Sequence, residues 1–206
     1  MNRLPNILTS LRLALALFTF FGLAAAAILS DRLTPADQFA LERWAFAAFV
    51  IAALTDFFDG WLARRLHATT VWGAILDPIA DKVLVCGAIL GLMTLGPNAA
   101  VAIPAALILF REFTVSALRE VAAGQGIRLP VTLLAKWKTT LQLTALGAEL
   151  LVACWSAFSL PNEPAVLGPA TLGAHLLLWL AAIITIVTGI QYWEHARRGL
   201  KVKAVE

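Results

Sequence analysis

The sequence has little cysteine, little histidine and little charge. It contains only two cysteines and three histidines in 206 residues, and 14% of its residues are charged. Cys86 and Cys154 both lie in apolar stretches without the spacing of a disulfide framework or a zinc site, so we interpret them as small buried hydrophobic residues. The chain also has no internal repeat and no low-complexity tract. These absences exclude a disulfide scaffold, a zinc module and a repeat array.

The chain is instead rich in apolar residues. Hydrophobic residues make up 60% of it, and its mean hydropathy is +0.82. A soluble domain of this length would not need so much apolar sequence, which indicates an integral membrane protein. We interpret the net charge of +3 as a property of membrane topology and expect no nucleic-acid partner.

Six apolar stretches approach the ~20 residues that a membrane-spanning helix needs. They cover residues 11–29, 40–60, 78–95, 98–119, 132–155 and 172–192. The sequence therefore predicts an all-α membrane protein with six transmembrane helices in a single domain, residues 1–206. A cleaved signal peptide is the alternative interpretation of the first stretch, but its apolar run is long for a signal core.

The two ends of the chain are expected to lie outside the six-helix bundle of residues 11–192. Residues 1–10 are too short to span, and their polar and apolar side chains alternate, which predicts a short amphipathic helix at the membrane interface. Residues 193–206 are expected to form a tail. Of the sixteen lysines and arginines, all but Arg32 and Arg43 fall in or beside the N-terminus, the 2–3 and 4–5 connections and the tail. By the positive-inside rule both termini are then cytoplasmic.

Four aspartates lie where a membrane-embedded chain should have none. Asp56 and Asp59 fall at the inner end of the second predicted helix, and Asp77 and Asp81 at the start of the third. Ionised side chains at membrane depth are costly and normally mark a functional site. Four carboxylates repel one another unless protons or cations neutralise them, and oxygen-only ligands favour magnesium or manganese. The sequence therefore predicts a divalent-metal site at the cytoplasmic membrane surface.

Helical spacing would bring these aspartates onto two facing stripes. Residues three and four apart share a helix face. The first stripe holds Asp56, Asp59, Gly60 and Ala63, with Arg64 at its edge as a fork for a phosphate. The second holds Gly73, Asp77 and Asp81 if helix 3 begins near Trp72. Two bridged ions in such a gap could polarise a diphosphate and leave one carboxylate as a general base, which favours phosphoryl-group transfer.

Helix capping is the alternative interpretation of single aspartates. Asp77 followed by Pro78 is typical of an N-cap and a proline at the first helical position. Capping would explain one such residue, but it does not explain four on matching stripes.

A second polar set interrupts the fourth and fifth predicted helices. Arg111, Glu112 and Arg119 lie in helix 4, and Lys136 and Lys138 open helix 5. A buried arginine needs a partner or a ligand. A neighbouring carboxylate such as Glu112 and a pocket for an anionic second substrate are both open at this point.

The residues at 56–81 resemble the signature of the CDP-alcohol phosphotransferase family, Asp-x2-Asp-Gly-x2-Ala-Arg-x8-Gly-x3-Asp-x3-Asp, and every fixed position matches. Residues 4–12 resemble the family's amphipathic entry segment. Residues 111–120 and 136–142 resemble the subgroup that makes phosphatidylglycerophosphate, with one departure at Ala117, where that subgroup is expected to have glycine.

The resemblance implies a six-helix enzyme of the bacterial cytoplasmic (inner) membrane, commonly a homodimer, with its active site facing the cytoplasm. Its substrates would be CDP-diacylglycerol, drawn from the membrane lipid, and glycerol 3-phosphate. Two Mg²⁺ or Mn²⁺ ions would be held by Asp56, Asp59, Asp77 and Asp81, with Asp81 also the catalytic base. The implied nucleotide-binding residues are Gly60, Arg64, Thr70, Gly73, Asn6 and Thr9. The implied acceptor-binding residues are Arg111, Arg119, Lys136 and Lys138.

Other functions remain open at this stage. Within the family, the acceptor could be serine, inositol phosphate or phosphatidylglycerol. Outside it, intramembrane aspartates could serve an ion-coupled transporter, although such proteins more often place carboxylates near the midplane on interrupted helices with repeat symmetry. An intramembrane aspartyl protease would need one aspartate pair sharing a proton, which four metal-suited carboxylates fit poorly.

Overall fold

The computed structural model describes residues 4–66, 71–96, 98–127 and 133–203, and only the backbone of residues 4–6, 57–66, 71–74, 133–136 and 200–203. These residues form α1 (Leu4–Ile28), α2 (Pro35–Leu66), α3 (Val71–Leu95), α4 (Ala99–Gly124), α5 (Leu133–Ala153), a short 3₁₀ turn (Trp155–Phe158) and α6 (Pro164–Lys203). No strand occurs in these ranges. The predicted all-helical class is therefore confirmed for the described part of the chain.

Five of the helices are long and apolar enough to cross a membrane, which agrees with an integral membrane protein. Their candidate spans are Ile7–Ile28, Pro35–Asp56, Ile75–Leu95, Ala99–Gly124 and Pro164–Gly199. The described part of α5 is not among them. The sixth span and the cytoplasmic orientation of the termini stay predictions.

The expected break between an interfacial segment and the first span is absent. Residues 4–10 are instead the first part of α1, which runs unbroken to Ile28. Pro5 falls in the first turn, where a missing backbone N–H breaks no intrahelical bond. At the other end of the chain, α6 is longer than its predicted span and includes residues 193–203, which were expected to form a tail.

The described chain divides into two compact units, residues 1–98 with 146–174 and residues 99–145 with 175–206. The prediction of a single domain stays a prediction. In the first unit, α1 packs against both α2 and α3. A Cβ at Gly87 would lie 2.9 Å from the Ala16 carbonyl oxygen, and one at Gly91 would lie 2.6 Å from Leu23 Cδ1. Glycine at both positions therefore allows α1 and α3 to approach closely.

The order of contacts shows that α1 and α3 run parallel. Ala16 meets Gly87 and Leu23 meets Gly91, so the contacts ascend along both helices. A Cβ at Gly22 would lie 3.1 Å from Ala45 Cβ, while Arg12 meets Asp56, so α1 and α2 run antiparallel. Parallel packing places the beginning of α1 beside the beginning of α3, where the predicted site lies.

The second unit contains α4, the first part of α5 and the later part of α6. One face of α4 is buried, and it includes Ile108, Arg111, Val115 and Ala122. A buried arginine on this face requires polar partners within the unit. Those partners form a separate basic set within this unit.

Candidate active site

Arg12 on α1 joins aspartates of two other helices. One guanidinium nitrogen, Nη1, donates to Asp81 Oδ1 at 2.9 Å and lies 3.0 Å from Asp56 Oδ1. The Arg12 side chain is 2% exposed, whereas those of Asp56 and Asp81 are 25% and 48% exposed. Two carboxylates from α2 and α3 thus converge on one point, and a buried positive charge reduces the repulsion between them.

Thr9 makes a second contact from α1 to this cluster. Its hydroxyl donates to Asp77 Oδ1 at 2.5 Å, and the residue is 2% exposed. Thr9 and Arg12 are three residues apart, so they share one face of α1. The sequence interpretation assigned Thr9 to the nucleotide and gave Arg12 no role in the site. The structure places both beside the aspartates, and the role of Thr9 towards a nucleotide stays a prediction.

Asp77 does not cap a helix. Because α3 begins at Val71, Asp77 lies inside it, and Pro78 is an internal proline. The capping interpretation of Asp77 is therefore wrong. The condition for the second stripe, a helix that begins near Trp72, is confirmed.

Several predicted site residues lie outside the described side chains. Thr70 is outside the described residues altogether. The side chains of Asn6, Asp59, Arg64 and Lys136 are also outside them, and Gly60 and Gly73 are described only as helix backbone. Because α2 is continuous to Leu66, its backbone keeps the predicted spacing of the first stripe.

The donors in the cluster suit a hard divalent cation. Among the side chains that the structure describes, no three of Asp, Glu, His or Cys form a group that could hold a metal ion, and Asp59 is not one of those side chains. Even so, Asp56 and Asp81 already meet at a common cation, and carboxylate oxygens are what magnesium and manganese bind. The residues therefore fit such an ion in chemistry, and the metal site stays a prediction.

A separate basic set lies in the second unit. Arg111 Nη2 donates to Thr188 Oγ1 at 3.1 Å, and Arg119 Nη2 donates to the Tyr192 hydroxyl at 2.6 Å. The guanidinium carbon atoms of Arg111 and Arg119 lie 5.7 Å and 4.6 Å from the centre of the Tyr192 ring. Tyr192 is 3% exposed, so the two arginines flank a buried aromatic ring, an arrangement that stabilises cations.

Glu112 is the carboxylate partner that the sequence analysis left open. It pairs with the Lys138 ammonium and, at 3.4 Å, with Arg111 Nη1. Arg119 instead meets a phenol hydroxyl. Among these described contacts, two of the three cations share the single Glu112 carboxylate and the third has no carboxylate, so positive charge exceeds negative charge in this set.

Residues of α6 that the sequence analysis did not identify hold the two arginines. Besides Thr188 and Tyr192, Gly189 leaves room for Arg111, because a Cβ there would lie 2.9 Å from Arg111 Cγ. The single tyrosine of the chain and a glycine three residues before it were the only signals in the sequence.

Comparison with known proteins identifies the family. The model of the CDP-alcohol phosphatidyltransferase family matches residues 2–187, which is most of the chain. The chain belongs to this family. The resemblance found in the sequence is therefore confirmed. The match includes the aspartates on α2 and α3 and the basic residues on α4 and α5, and it ends one residue before Thr188.

Relatives from several bacteria carry one name, CDP-diacylglycerol–glycerol-3-phosphate 3-phosphatidyltransferase. The relative from Cereibacter sphaeroides is 37% identical over 223 residues, which cover 96% of this chain and 95% of that protein. The Bacillus subtilis relative is 37% identical over 203 residues, 98% of each chain. The Rickettsia bellii relative is 41% identical over 150 residues, 73% of this chain and 77% of its own. The similarity to CDP-alcohol phosphatidyltransferases thus extends over nearly the whole chain.

Proposed function

We propose that this protein transfers the phosphatidyl group from CDP-diacylglycerol to sn-glycerol 3-phosphate, giving phosphatidylglycerophosphate and CMP. The observation that carries the proposal is the likeness, over 96–98% of the chain, to two relatives named for this reaction. The aspartate cluster and the basic set supply the two kinds of binding group that the reaction requires, one for a diphosphate with its metal and one for an anionic acceptor.

We assign the metal to Asp56, Asp59, Asp77 and Asp81, with Mg²⁺ or Mn²⁺ as the ion and two ions per site. When bound, these ions would polarise the diphosphate and stabilise the departing CMP. Arg12 keeps Asp56 and Asp81 together, and Thr9 orients the Asp77 carboxylate. Removing such a supporting contact typically lowers metal affinity by about 10–100-fold.

Asp81 is the proposed general base. Its side chain is 48% exposed, compared with 25% for Asp56, so it is the more accessible of the two carboxylates that Arg12 holds. The Asp81 carboxylate would take the proton from an acceptor hydroxyl. The resulting alkoxide attacks the phosphorus on the diacylglycerol side, a new P–O bond forms, and the P–O bond to CMP breaks.

The remaining assignments concern the two substrates. Gly60, Arg64, Thr70 and Gly73, with Asn6 and Thr9, would bind the cytidine diphosphate group. Arg111, Arg119, Lys136 and Lys138 would bind the phosphate of the acceptor. The excess of cations over carboxylates among the described members of this set supports an anionic acceptor and disfavours serine.

We further propose that the site faces the cytoplasm at the bacterial inner membrane and that the protein is a homodimer. The distribution of lysine and arginine supports the orientation, and the relatives are bacterial. The transporter alternative gains no support, because α2 and α3 are continuous helices where they carry Asp56, Asp77 and Asp81.

The direct test is release of CMP from CDP-diacylglycerol by the purified protein. Glycerol 3-phosphate, serine and inositol phosphate are compared as acceptors, with magnesium and with excess chelator. We expect turnover only with glycerol 3-phosphate and a divalent ion. Full turnover in chelator would contradict the metal assignment, and a preference for another acceptor would contradict the substrate assignment.

Replacing Arg119 with alanine is expected to raise the KM for glycerol 3-phosphate by roughly 10–100-fold, because a charged hydrogen bond to the phosphate is lost. The KM for CDP-diacylglycerol should change much less. Steady-state kinetics with each substrate varied in turn measures both values. Arg198→Ala is the matched control, since Arg198 has an 80% exposed side chain and a loose 3.8 Å pair with Glu194. An unchanged acceptor KM in Arg119→Ala would remove this residue from the pocket.

Gly189→Ala is expected to raise the acceptor KM by about tenfold, because the new methyl group displaces Arg111 from its position against α6. Gly173→Ala, elsewhere on α6, has nothing within 4 Å of the added Cβ and serves as control. Alanine is otherwise the better helix former, so the control should be as stable as the unaltered protein or more stable. Equal acceptor KM values for the two variants would show that Arg111 does not need this space.

A further inference from the structure

Two buried polar side chains in the second unit each have an atom without a hydrogen-bond partner among the described residues. Gln142 on α5 is 2% exposed and Thr185 on α6 is 0% exposed. Neither Gln142 Oε1 nor Thr185 Oγ1 has a hydrogen-bond partner among the described residues, and the same is true of Arg111 Nε. Unpaired polar atoms are rare in protein interiors and each calls for an explanation, such as a ligand.

Thr185 differs from other threonines in the helices. The hydroxyls of Thr19, Thr114, Thr144 and Thr171 each donate to the carbonyl oxygen four residues earlier. This local bond is the ordinary way for a helical threonine to satisfy its hydroxyl in an apolar setting. Thr185 does not form it, so its hydroxyl is left available inside the unit.

Both side chains adjoin the basic set. Gln142 follows Lys138 by four residues and so lies on the same face of α5. Thr185 precedes Thr188 by three residues, and the Thr188 hydroxyl both donates to the Thr185 carbonyl oxygen at 2.9 Å and accepts from Arg111. Each of the three unpaired atoms therefore belongs to the basic set or lies one helical turn from a member of it, and contacts through Glu112 and Thr188 connect those members.

The chemistry of the three atoms selects a particular kind of ligand. Arg111 Nε is a cationic donor and suits a phosphate oxygen. Gln142 Oε1 is an acceptor only, so it disfavours a phosphate and requires a donor such as a hydroxyl. The Thr185 hydroxyl can accept from the same hydroxyl or donate to it. A ligand that satisfies all three atoms is a small molecule that carries a phosphate and an uncharged hydroxyl close together.

We propose that Gln142 and Thr185 bind the non-reacting hydroxyl of the acceptor while Arg111 binds its phosphate, so that the site selects polyol phosphates. This inference rests on the proposed function and adds the residues that distinguish acceptors. The secondary hydroxyl of glycerol 3-phosphate is the group that Gln142 and Thr185 bind, and its primary hydroxyl remains free to react.

The test compares glycerol 3-phosphate with 3-hydroxypropyl phosphate, which lacks only the secondary hydroxyl. The unaltered protein is expected to favour glycerol 3-phosphate by roughly 100-fold or more in kcat/KM, because a site built for a hydroxyl rejects an analogue without one. Gln142→Leu and the isosteric Thr185→Val should each reduce this preference by about tenfold or more. Thr144→Val, which removes a hydroxyl that is bonded within its own helix, should leave the preference unchanged.

Thermal stability separates a binding role from a structural one. Since Gln142→Leu removes a buried unpaired acceptor, its apparent Tm should hold or rise while the preference falls. A lower Tm together with an unchanged preference would overturn the inference, as would equal use of both acceptors by the unaltered protein. If Arg119→Ala raises the acceptor KM but these two variants keep the preference, only the hydroxyl subsite fails. If Arg119→Ala also leaves that KM unchanged, the proposed acceptor site itself fails.

Discussion

Asp81→Asn is expected to lower turnover by about 1000-fold or more while nucleotide binding largely survives. The carboxamide cannot take a proton from the acceptor hydroxyl, and general-base catalysis alone contributes about 10²–10⁴-fold. The remaining amide oxygen can still accept the hydrogen bond from Arg12, so the local fold should persist. Release of CMP from CDP-diacylglycerol measures the loss, and calorimetric titration with a cytidine nucleotide measures the binding.

Asp31→Asn provides the control for this substitution. Asp31 is an exposed aspartate of the first unit, in the turn after α1 and outside the cluster. Its replacement should leave turnover and nucleotide binding as they were. CMP release from purified Asp81→Asn at a rate comparable to that of the unaltered protein would refute the assignment of Asp81 as base.

Arg12→Gln is expected to make the stability of the protein depend on a divalent ion. Without the guanidinium, Asp56 and Asp81 repel each other, and removing one partner of a buried ion pair typically costs 3–5 kcal/mol. Because the Asp81 side chain is 48% exposed, we expect about 2 kcal/mol, corresponding to a fall in apparent Tm on the order of 5 °C. Tryptophan fluorescence during heating, in chelator and in magnesium, measures the change.

Magnesium should restore most of the lost stability in Arg12→Gln, because a bound cation would take over neutralisation of the carboxylates. The unaltered protein should differ less between the two conditions. Arg43→Gln is the matched control, since Arg43 lies on α2 in the same unit and donates to the Ala157 carbonyl oxygen at 2.7 Å, not to an aspartate. If Arg12→Gln and Arg43→Gln responded alike to magnesium, Arg12 would not be the cation that holds the cluster.

The predictable part of the fold followed from local patterns. The apolar stretches identified the helices, and the four-residue spacing of Gly73, Asp77 and Asp81 required α3 to begin near Trp72, as it does. The proline-based interpretation of the same segment was wrong, because Pro78 is accommodated inside a long apolar helix. The four-residue spacing was the better predictor of helix 3 than the Asp-Pro pattern, because it indicates which side chains share one face of a helix.

The unpredicted part of the site depends on contacts between distant helices. In the sequence, Arg12 was interpreted only as a basic residue near the N-terminus, although Thr9 three residues earlier shares its helix face and marks a polar face on an apolar helix. The contacts of Thr188, Gly189 and Tyr192 with the arginines of α4 join residues more than 70 positions apart, such as Arg119 and Tyr192 with a separation of 73. No periodicity within one helix reports such a pairing.

The position of Arg12 on α1 also has a consequence for biosynthesis. Arg12 is synthesised before either of its carboxylate partners, and Asp81 follows it by 69 residues. A nascent first helix therefore carries an unmatched guanidinium, which its long side chain can hold at the headgroup level in the meantime. Asp81 on α3 is the last of the two carboxylate partners to be synthesised. The beginning of α1 can therefore make its native contacts only after α2 and α3 have inserted into the membrane.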